Sequence, residues 1–147
     1  IMPDAGSYRR HAVRITGVNL PTANYLSVPK LMKEVMARAA EKLKDIIAVS
    51  AGVHSRFEQI HPFSDGNGRV GRLLITLFLV ERGILPTPLL YLSAFFEATR
   101  RDYYELLGAV SARGDWEPWL IDFLNGVARQ SEDALSRAER INKLLER

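Results

Sequence analysis

The chain has 147 residues, of which 47% are hydrophobic and 25% are charged. These proportions are typical of one compact globular domain and argue against a disordered or fibrous protein. The formal net charge is only +3 and the basic residues are scattered, which argues against a nucleic-acid-binding surface. Cysteine is absent, so disulfides and thiolate metal sites are excluded. The longest apolar run, residues 73–80, is far shorter than the ~20 residues of a membrane span.

Residues 1–28 are rich in proline and glycine and predict an irregular N-terminal arm. Within it, "AVRIT" alternates apolar and polar residues and predicts a short strand or hairpin. Beyond Pro29, a helical period predicts one or two amphipathic helices. The residues that recur are Leu31, Met32, Val35, Met36, Ala39, Ala40, Leu43, Ile46 and Ile47. A further helix, "DIIAVSAGVHSRFEQI", is expected to end near His61, because Pro62 disfavours helical geometry at the preceding residue.

The second half of the chain is also predicted to be helical. The segment "RVGRLLITLFLVERG" is apolar on nearly every face, which predicts a central helix that stops at Gly83. Ser93 is expected to cap one or two helices that end near Gly114, and Asp115 to cap a last helix. That helix ends in a narrow apolar stripe, formed by Ala134, Ala138, Ile141 and Leu145. The stripe favours packing on the domain surface, with a linker to a further domain or a partner as the alternative.

The segment "HPFSDGNGRVGR", residues 61–72, contains the dinucleotide-binding pattern G-x-G-x-x-G. The strand before that pattern and the acid about twenty residues after it are both missing, and so is the Gly-Lys-Ser/Thr of a Walker A loop. A glycine-rich turn that opens a helix still presents free backbone N–H groups to a phosphate. Arg69 and Arg72 share one face of the first turns, against the helix dipole, which predicts a bound polyphosphate. Pairing with stray surface acids is the alternative.

His61 adjoins this turn, and the ordinary pKa of histidine suits proton abstraction near neutrality. Asp65 would repel a phosphate unless a cation lay between them, so it predicts Mg²⁺. A competing metal site would use His54, Glu58 and His61, which share one helical face and contain the Glu-x-x-His of di-iron bundles. Such bundles need a second Glu-x-x-His, which the sequence lacks. His54 and Glu58 are therefore expected to support the site or to lie on the helix surface.

Residues 61–72 resemble the signature of the Fic domain, H-x-F-x-(D/E)-G-N-G-R-x-x-R, with every specified position filled. "YRRHAVRITG" is similar to the flap of that family, and "FEQIHPF", "RRDYYELL" and "GDWEPWLIDFL" to its neighbouring helices. The resemblance implies a single Fic domain over residues 1–147, folded as an all-α bundle with a small β-hairpin flap. The N-terminal arm with the flap would span residues 1–28, the helical core 29–126 and the C-terminal helix 127–147.

The resemblance implies a protein adenylyltransferase, which moves AMP from Mg-ATP to a Tyr, Ser or Thr hydroxyl of a target protein and releases pyrophosphate. His61 would be the catalytic base, and Asp65 would hold Mg²⁺. The residues expected at the nucleotide are Asp65, Gly66, Asn67, Gly68, Arg69, Val70, Gly71, Arg72, Tyr103 and Tyr104. The residues of the target-binding flap would be Val13, Arg14, Ile15, Thr16 and Gly17. The alternatives are a nucleotide-binding regulatory module with little turnover, or transfer of UMP or another phosphate-linked group.

Two details of the resemblance bear on regulation. Relatives that phosphorylate carry a lysine at the third loop position, so Gly68 favours AMP transfer. Many Fic proteins have an inhibitory helix with Ser/Thr-x-x-x-Glu-Gly/Asn, whose glutamate pairs with the second motif arginine. Ser93 to Glu97 fits only in part, because alanine follows, and we do not assign it. The alternatives are an inhibitory helix before Ile1, a separate inhibitory partner such as an antitoxin, or no inhibitor. No signal-peptide pattern is seen, which favours a cytoplasmic location, with a secreted effector as the alternative.

Overall fold

The computed structural model describes residues 4–42 and 44–146. A 3₁₀ turn at Tyr25–Ser27 precedes six helices, and the described residues contain no β-strand. The helices are α1 (Val28–Ala40), α2 (Ile46–Ile60), α3 (Asn67–Glu81), α4 (Leu92–Ala98), α5 (Arg100–Arg113) and α6 (Trp116–Leu145). The all-α class is therefore confirmed. No helix in the described part of the chain has the length and hydropathy needed to cross a bilayer.

The flap lacks the expected β-hairpin. Residues 12–15 have no regular secondary structure, a turn follows at residues 16 and 17, and no main-chain ladder joins the two sides. The Val18 N–H donates back to the Ile15 carbonyl at 3.4 Å, and the Thr22 hydroxyl donates to the Val13 carbonyl at 2.9 Å. A hydroxyl thus closes the base of the flap where a strand pair would use backbone amides. Alternation of residue types predicted a strand or hairpin, and neither is present in residues 12–17.

Helix α1 begins where the sequence predicts, and helix α2 begins and ends as predicted, but the helical period predicted through Ile47 is interrupted after Ala40. Pro29 lies in the first turn of α1, and the Asp45 carboxylate accepts the Ala48 N–H at the start of α2. Leu43, which the periodicity includes in this region, lies outside the described residues. Helix α2 ends at Ile60, and His61 adopts the left-handed conformation with φ 52°. This conformation is uncommon for a residue other than glycine, and it turns the chain sharply into the motif loop.

Helix α3 is only half buried. Ile75 and Leu79 are in the core, but the side chains of Leu73 and Leu77 are 56% and 46% exposed. The expectation of a fully central helix is therefore wrong, because α2 and α4 pack on one side of α3 and leave the opposite side open. Gly83 follows with φ 73° and ends the helical segment as predicted.

Helices α4, α5 and α6 build the main core around an aromatic cluster that includes Phe96, Tyr103 and Trp119. Ser93 is not a cap, since α4 already begins at Leu92 and the Ser93 hydroxyl accepts a hydrogen bond from an arginine. Gly114, with φ 71°, ends α5 as expected.

Asp115 precedes α6, but its carboxylate pairs with Arg113 at 2.8 Å and makes no side-chain cap. The apolar stripe of the last turns is exposed at Ala138, Ile141 and Leu145. The predicted packing on the domain surface is therefore wrong there, because α6 continues past the helices that cover its first half.

Candidate active site

A polar cavity of about 290 Å³ lies where the flap, the motif loop and the start of α5 meet. A larger, mostly apolar cavity of about 620 Å³ between α1, α2 and the start of α6 contains no motif residue, so volume alone does not identify the site. The polar cavity brings together most residues that the sequence predicts. Those lining it are Val13, Arg14, Ile15, Thr16, His61, Asp65, Gly66, Asn67, Gly68, Arg69, Arg72 and Tyr104.

The motif loop forms a tight turn at the start of α3. Gly66 has φ 80°, a conformation that favours glycine, and α3 begins at the next residue. The first N–H groups of a helix have no acceptor inside it, and the helix dipole places partial positive charge there. The N–H groups of Asn67, Gly68 and Arg69 therefore form a site suited to a phosphate.

The buried Asn67 side chain closes this loop. Its amide oxygen accepts the Phe63 N–H at 2.8 Å, and its amide nitrogen donates to the Phe63 carbonyl at 2.8 Å. Phe63 in turn packs against Phe57 on α2 and against Tyr8 in the N-terminal arm. The side chain of Asn67 thus holds the loop in shape.

The acidic residue of the loop has one charged neighbour. The Asp65 carboxylate lies 3.4 Å from the Arg69 guanidinium, and both side chains are exposed, so the ion pair contributes little stability. Across residues 4–42 and 44–146, no group of three or more histidine, aspartate or glutamate side chains could hold a metal. A lone carboxylate beside a phosphate site still fits Mg²⁺, which often binds one carboxylate together with substrate phosphates.

Arg72 is held by two residues of α4. Its Nε donates to the Ser93 hydroxyl at 3.1 Å, and its Nη2 lies 3.2 Å from Glu97 Oε1. Glu97 also lies 3.6 Å from Arg100, and both of these residues line the cavity. The sequence showed that Ser93 and Glu97 share a helix face, but only the fold shows that this face meets the motif arginine.

His61 is held in a defined orientation at the cavity. Its Nδ1 lies 3.3 Å from the Glu58 main-chain carbonyl, so the proton is assigned to Nδ1 and Nε2 keeps a free lone pair. Burial lowers the pKa of His61; the hydrogen bond to Glu58 raises it, and the nearby Arg9 lowers it. The ring is therefore neutral near pH 7, as a proton acceptor must be.

A fully buried carboxyl group lies behind His61. Glu58 Oε2 is 4.0 Å from His61 Nδ1, and burial raises the pKa of Glu58 to about 7. A Cβ added at Gly71 would collide with Glu58 Oε1. The glycine that completes the misleading dinucleotide pattern therefore makes room for Glu58, and it faces α2 instead of the cavity.

The two tyrosines that were predicted at the nucleotide lie in different parts of the structure. Tyr104 lines the cavity, and the Arg100 guanidinium lies 5.1 Å from the centre of its ring. Tyr103 is buried, and its hydroxyl lies 2.9 Å from His54 Nε2, so it belongs to the core. Val70 packs beside the cluster between α1 and α2, and Gly17 lines a neighbouring cavity of about 830 Å³.

The sequence model of the Fic/DOC family matches residues 1–79, just over half of the chain. The chain belongs to the Fic/DOC family. Among its relatives, a probable protein adenylyltransferase of Aquifex aeolicus is 40% identical over 79 residues, covering 53% of this chain and 25% of the relative. A protein adenylyltransferase Fic of Culex quinquefasciatus is 31% identical over 118 residues, covering 80% of this chain and 22% of the relative.

The Fic fold is also seen in a solved structure. The crystal structure of a Fic family protein from Desulfovibrio desulfuricans superposes with a TM-score of 0.71 and 30% identity, over 80% of this chain and 36% of the other. This chain spans a quarter or less of the length of the two adenylyltransferase relatives named above.

Proposed function

We propose that this Fic domain transfers AMP from Mg-ATP to a Tyr, Ser or Thr hydroxyl of a target protein, with release of pyrophosphate. One observation carries the proposal: a neutral, oriented His61 lies in the same cavity as the free N–H groups at the start of α3. Nucleotidyl transfer to a hydroxyl needs a general base next to a site that binds phosphate. The names of the relatives support the same activity.

In the proposed reaction, His61 Nε2 takes the proton of the target hydroxyl while the hydroxyl oxygen attacks the α-phosphorus. The bond to the bridging oxygen of the β-phosphate breaks, and pyrophosphate leaves. General-base help of this kind is typically worth ~10²–10⁴-fold in rate. The N–H groups at the start of α3 bind the phosphate whose charge rises during attack.

The remaining residues bind and orient the substrates. Arg69 and Arg72 hold the outer phosphates, and Asp65 holds Mg²⁺, which when bound neutralises part of the phosphate charge. Tyr104 lies where it can contact the adenine of ATP. Residues 13–16 of the flap hold the target segment. The flap acts through its backbone, whose N–H and C=O groups that are not already bonded within the flap can pair with a target strand.

Gly68 supports AMP transfer over phosphoryl transfer. A Cβ at this position would lie 3.0 Å from Arg72 Nη1, closer than most such contacts. A side chain at position 68 would shift the end of Arg72 by a few tenths of an ångström, and a lysine would add a second cation beside it. With glycine, Arg72 keeps its place for the outer phosphates.

The test is incubation of the chain with α-labelled ATP and cell lysate. We expect label on protein, and we expect His61→Ala to abolish it while ATP still binds by calorimetry. Label that persists in His61→Ala would contradict the role of the base. Unlabelled UTP that competes as well as unlabelled ATP would favour UMP transfer.

The second candidate is a nucleotide-binding regulatory module with little turnover. The contact between Glu97 and Arg72 favours it, because a phosphate-binding cation is already paired. ATP binding without modification of any protein across several lysates would support this candidate over the transferase.

A further inference from the structure

Arg9 is buried in an unusual way. Only 2% of the residue is exposed, and none of the ion pairs among the described residues includes it. Its guanidinium donates four hydrogen bonds, all to main-chain carbonyls. The acceptors are His61 (2.7 Å, from Nε), His11 (2.8 Å, from Nη1), and Ala23 and Ile60 (2.5 and 3.1 Å, both from Nη2).

The four carbonyls belong to two parts of the active site. His11 and Ala23 flank the flap, at its entry and its exit, and Ile60 and His61 are at the C-terminal end of α2. Two main-chain hydrogen bonds follow the same seam, from Arg9 N–H to the Pro62 carbonyl at 2.9 Å and from Ala23 N–H to the Gln59 carbonyl at 3.1 Å. One planar guanidinium therefore joins both ends of the flap to the segment that carries the base.

Both parts need such support. The last carbonyls of a helix have no N–H donor inside it. His61 has the left-handed conformation, which depends on surrounding contacts to maintain it. The flap has no strand ladder, and the hydrogen bond from Thr22 to Val13 closes its base. Its position relative to His61 thus depends on the residues that hold its two ends.

We propose that Arg9 is a positioning residue for AMP transfer, which sets the distance and angle between the target-binding flap and the His61 ring. The inference rests on the proposed function, since it assumes that the flap holds the target. Arg9 is not among the residues that line the cavity. The phosphate site is held separately, by the bonds between Asn67 and Phe63. Loss of Arg9 should therefore impair use of the target and spare ATP binding.

The kinetic test uses Arg9→Met and Arg9→Lys in the 147-residue chain, with Arg10→Met as the matched control at the adjacent, exposed arginine. Since a misplacement of about 1 Å can cost ~100-fold, we expect Arg9→Met to lower kcat/KM for the target by about that factor. Lysine keeps the charge but loses the fork of donors, so Arg9→Lys should lie between Arg9→Met and the unchanged chain. The Kd for ATP should stay within about twofold of the unchanged chain in all variants. The control Arg10→Met should also keep kcat and the target KM within about twofold.

An unchanged kcat and target KM in Arg9→Met would overturn the proposal. So would a loss of ATP binding parallel to the loss of transfer, because that would indicate general unfolding. If Arg9→Met does not fold, Arg9→Lys decides by the same criteria.

A second readout does not need activity. Hydrogen exchange by NMR at the Ala23 amide should accelerate at least ~10-fold in Arg9→Met, while the Leu107 amide in α5 stays as protected as before. Unchanged exchange at Ala23 would overturn the role of Arg9 even if the unaltered chain transfers AMP. Faster exchange at Ala23 in a chain that modifies no protein would instead contradict only the proposed function.

Discussion

Glu97 Oε1 lies 3.2 Å from Nη2 of Arg72, and this contact places an acid against the second arginine of the motif. In the proposed function, the outer phosphates of ATP carry the same sign of charge as Glu97 and need the same cation. ATP must therefore displace this carboxylate or bind beside it.

We expect Glu97→Gln to bind ATP more tightly. The Glu97 side chain is half exposed, so the gain is modest, with a Kd lower by about two- to fivefold in calorimetry. Glu41→Gln is the control, because Glu41 also pairs with an arginine, Arg38, but lies away from the cavity. Weaker ATP binding by Glu97→Gln would mean that the carboxylate orients Arg72 for the phosphates.

Gly71→Ala should destabilise the protein by about 1–3 kcal/mol, because its new methyl group collides with the buried Glu58 carboxyl. Gly52→Ala in α2 is the matched control. No atom lies within 4 Å of a Cβ at Gly52, so alanine should stabilise this helix by about 0.5–1 kcal/mol. Urea unfolding of the two variants measures the difference. Equal stability of both would contradict the tight fit of Glu58 against Gly71.

The buried pair of Glu58 and His54 predicts two opposite pH dependences of stability. Burial raises the pKa of Glu58 to about 7, so between pH 4.5 and 7 the folded state holds a proton that the unfolded state loses. The free energy of unfolding falls as the pH rises through this range. Burial lowers the pKa of His54 to about 4, so its contribution rises with pH between 4 and 6.5.

Glu58→Gln should separate these contributions. Each slope is at most ~1.4 kcal/mol per pH unit, and they oppose each other between pH 4.5 and 6.5. Without the carboxyl, the free energy of unfolding should rise more steeply with pH in this window than it does in the unaltered chain. Urea titrations at several pH values measure this, with the exposed Glu34→Gln as the control. Parallel curves for the two proteins would show that Glu58 does not titrate as described.

The rate of AMP transfer should follow the neutral form of His61. Burial lowers the pKa of this histidine below its usual value of 6.5, so kcat/KM should rise with pH, with a midpoint below pH 6.5. Rates measured from pH 5 to 8 on one target test the sign and the position. An inflection above pH 6.5 would indicate that a charged neighbour raises the pKa of His61 during turnover.

The sequence predicted the helices and the motif loop well, because local rules determine them. Pro62 marked the end of α2, and Gly66 marked the turn before α3. Which side chain of α2 lies opposite Gly71 could not be predicted, because it depends on how α2 and α3 pack. Tyr103 and Tyr104 are adjacent, yet Tyr103 is in the core and Tyr104 lines the cavity. Only the packing of α5 determines this difference.

The role of Arg9 also could not be predicted from local sequence patterns. In the sequence it is one of two arginines in an irregular arm, and its neighbour Arg10 is exposed. Its acceptors lie up to 52 residues away in the chain, so no local pattern indicates them. Residue alternation predicted a strand or hairpin and the resemblance predicted a β-hairpin, but the flap is held by side-chain hydrogen bonds from Arg9 and Thr22 and by single main-chain bonds.

The two hydrogen bonds between Asn67 and Phe63 have a thermodynamic consequence. They hold the loop in shape through the protein's own groups, so the conformational entropy of residues 63–67 is lost during folding and not on binding. In the proposed function, association with ATP would then need little ordering of the backbone, and the gain from each amide contact would appear almost fully in the affinity. The loop is in this sense a pre-organised receptor for the proposed phosphate.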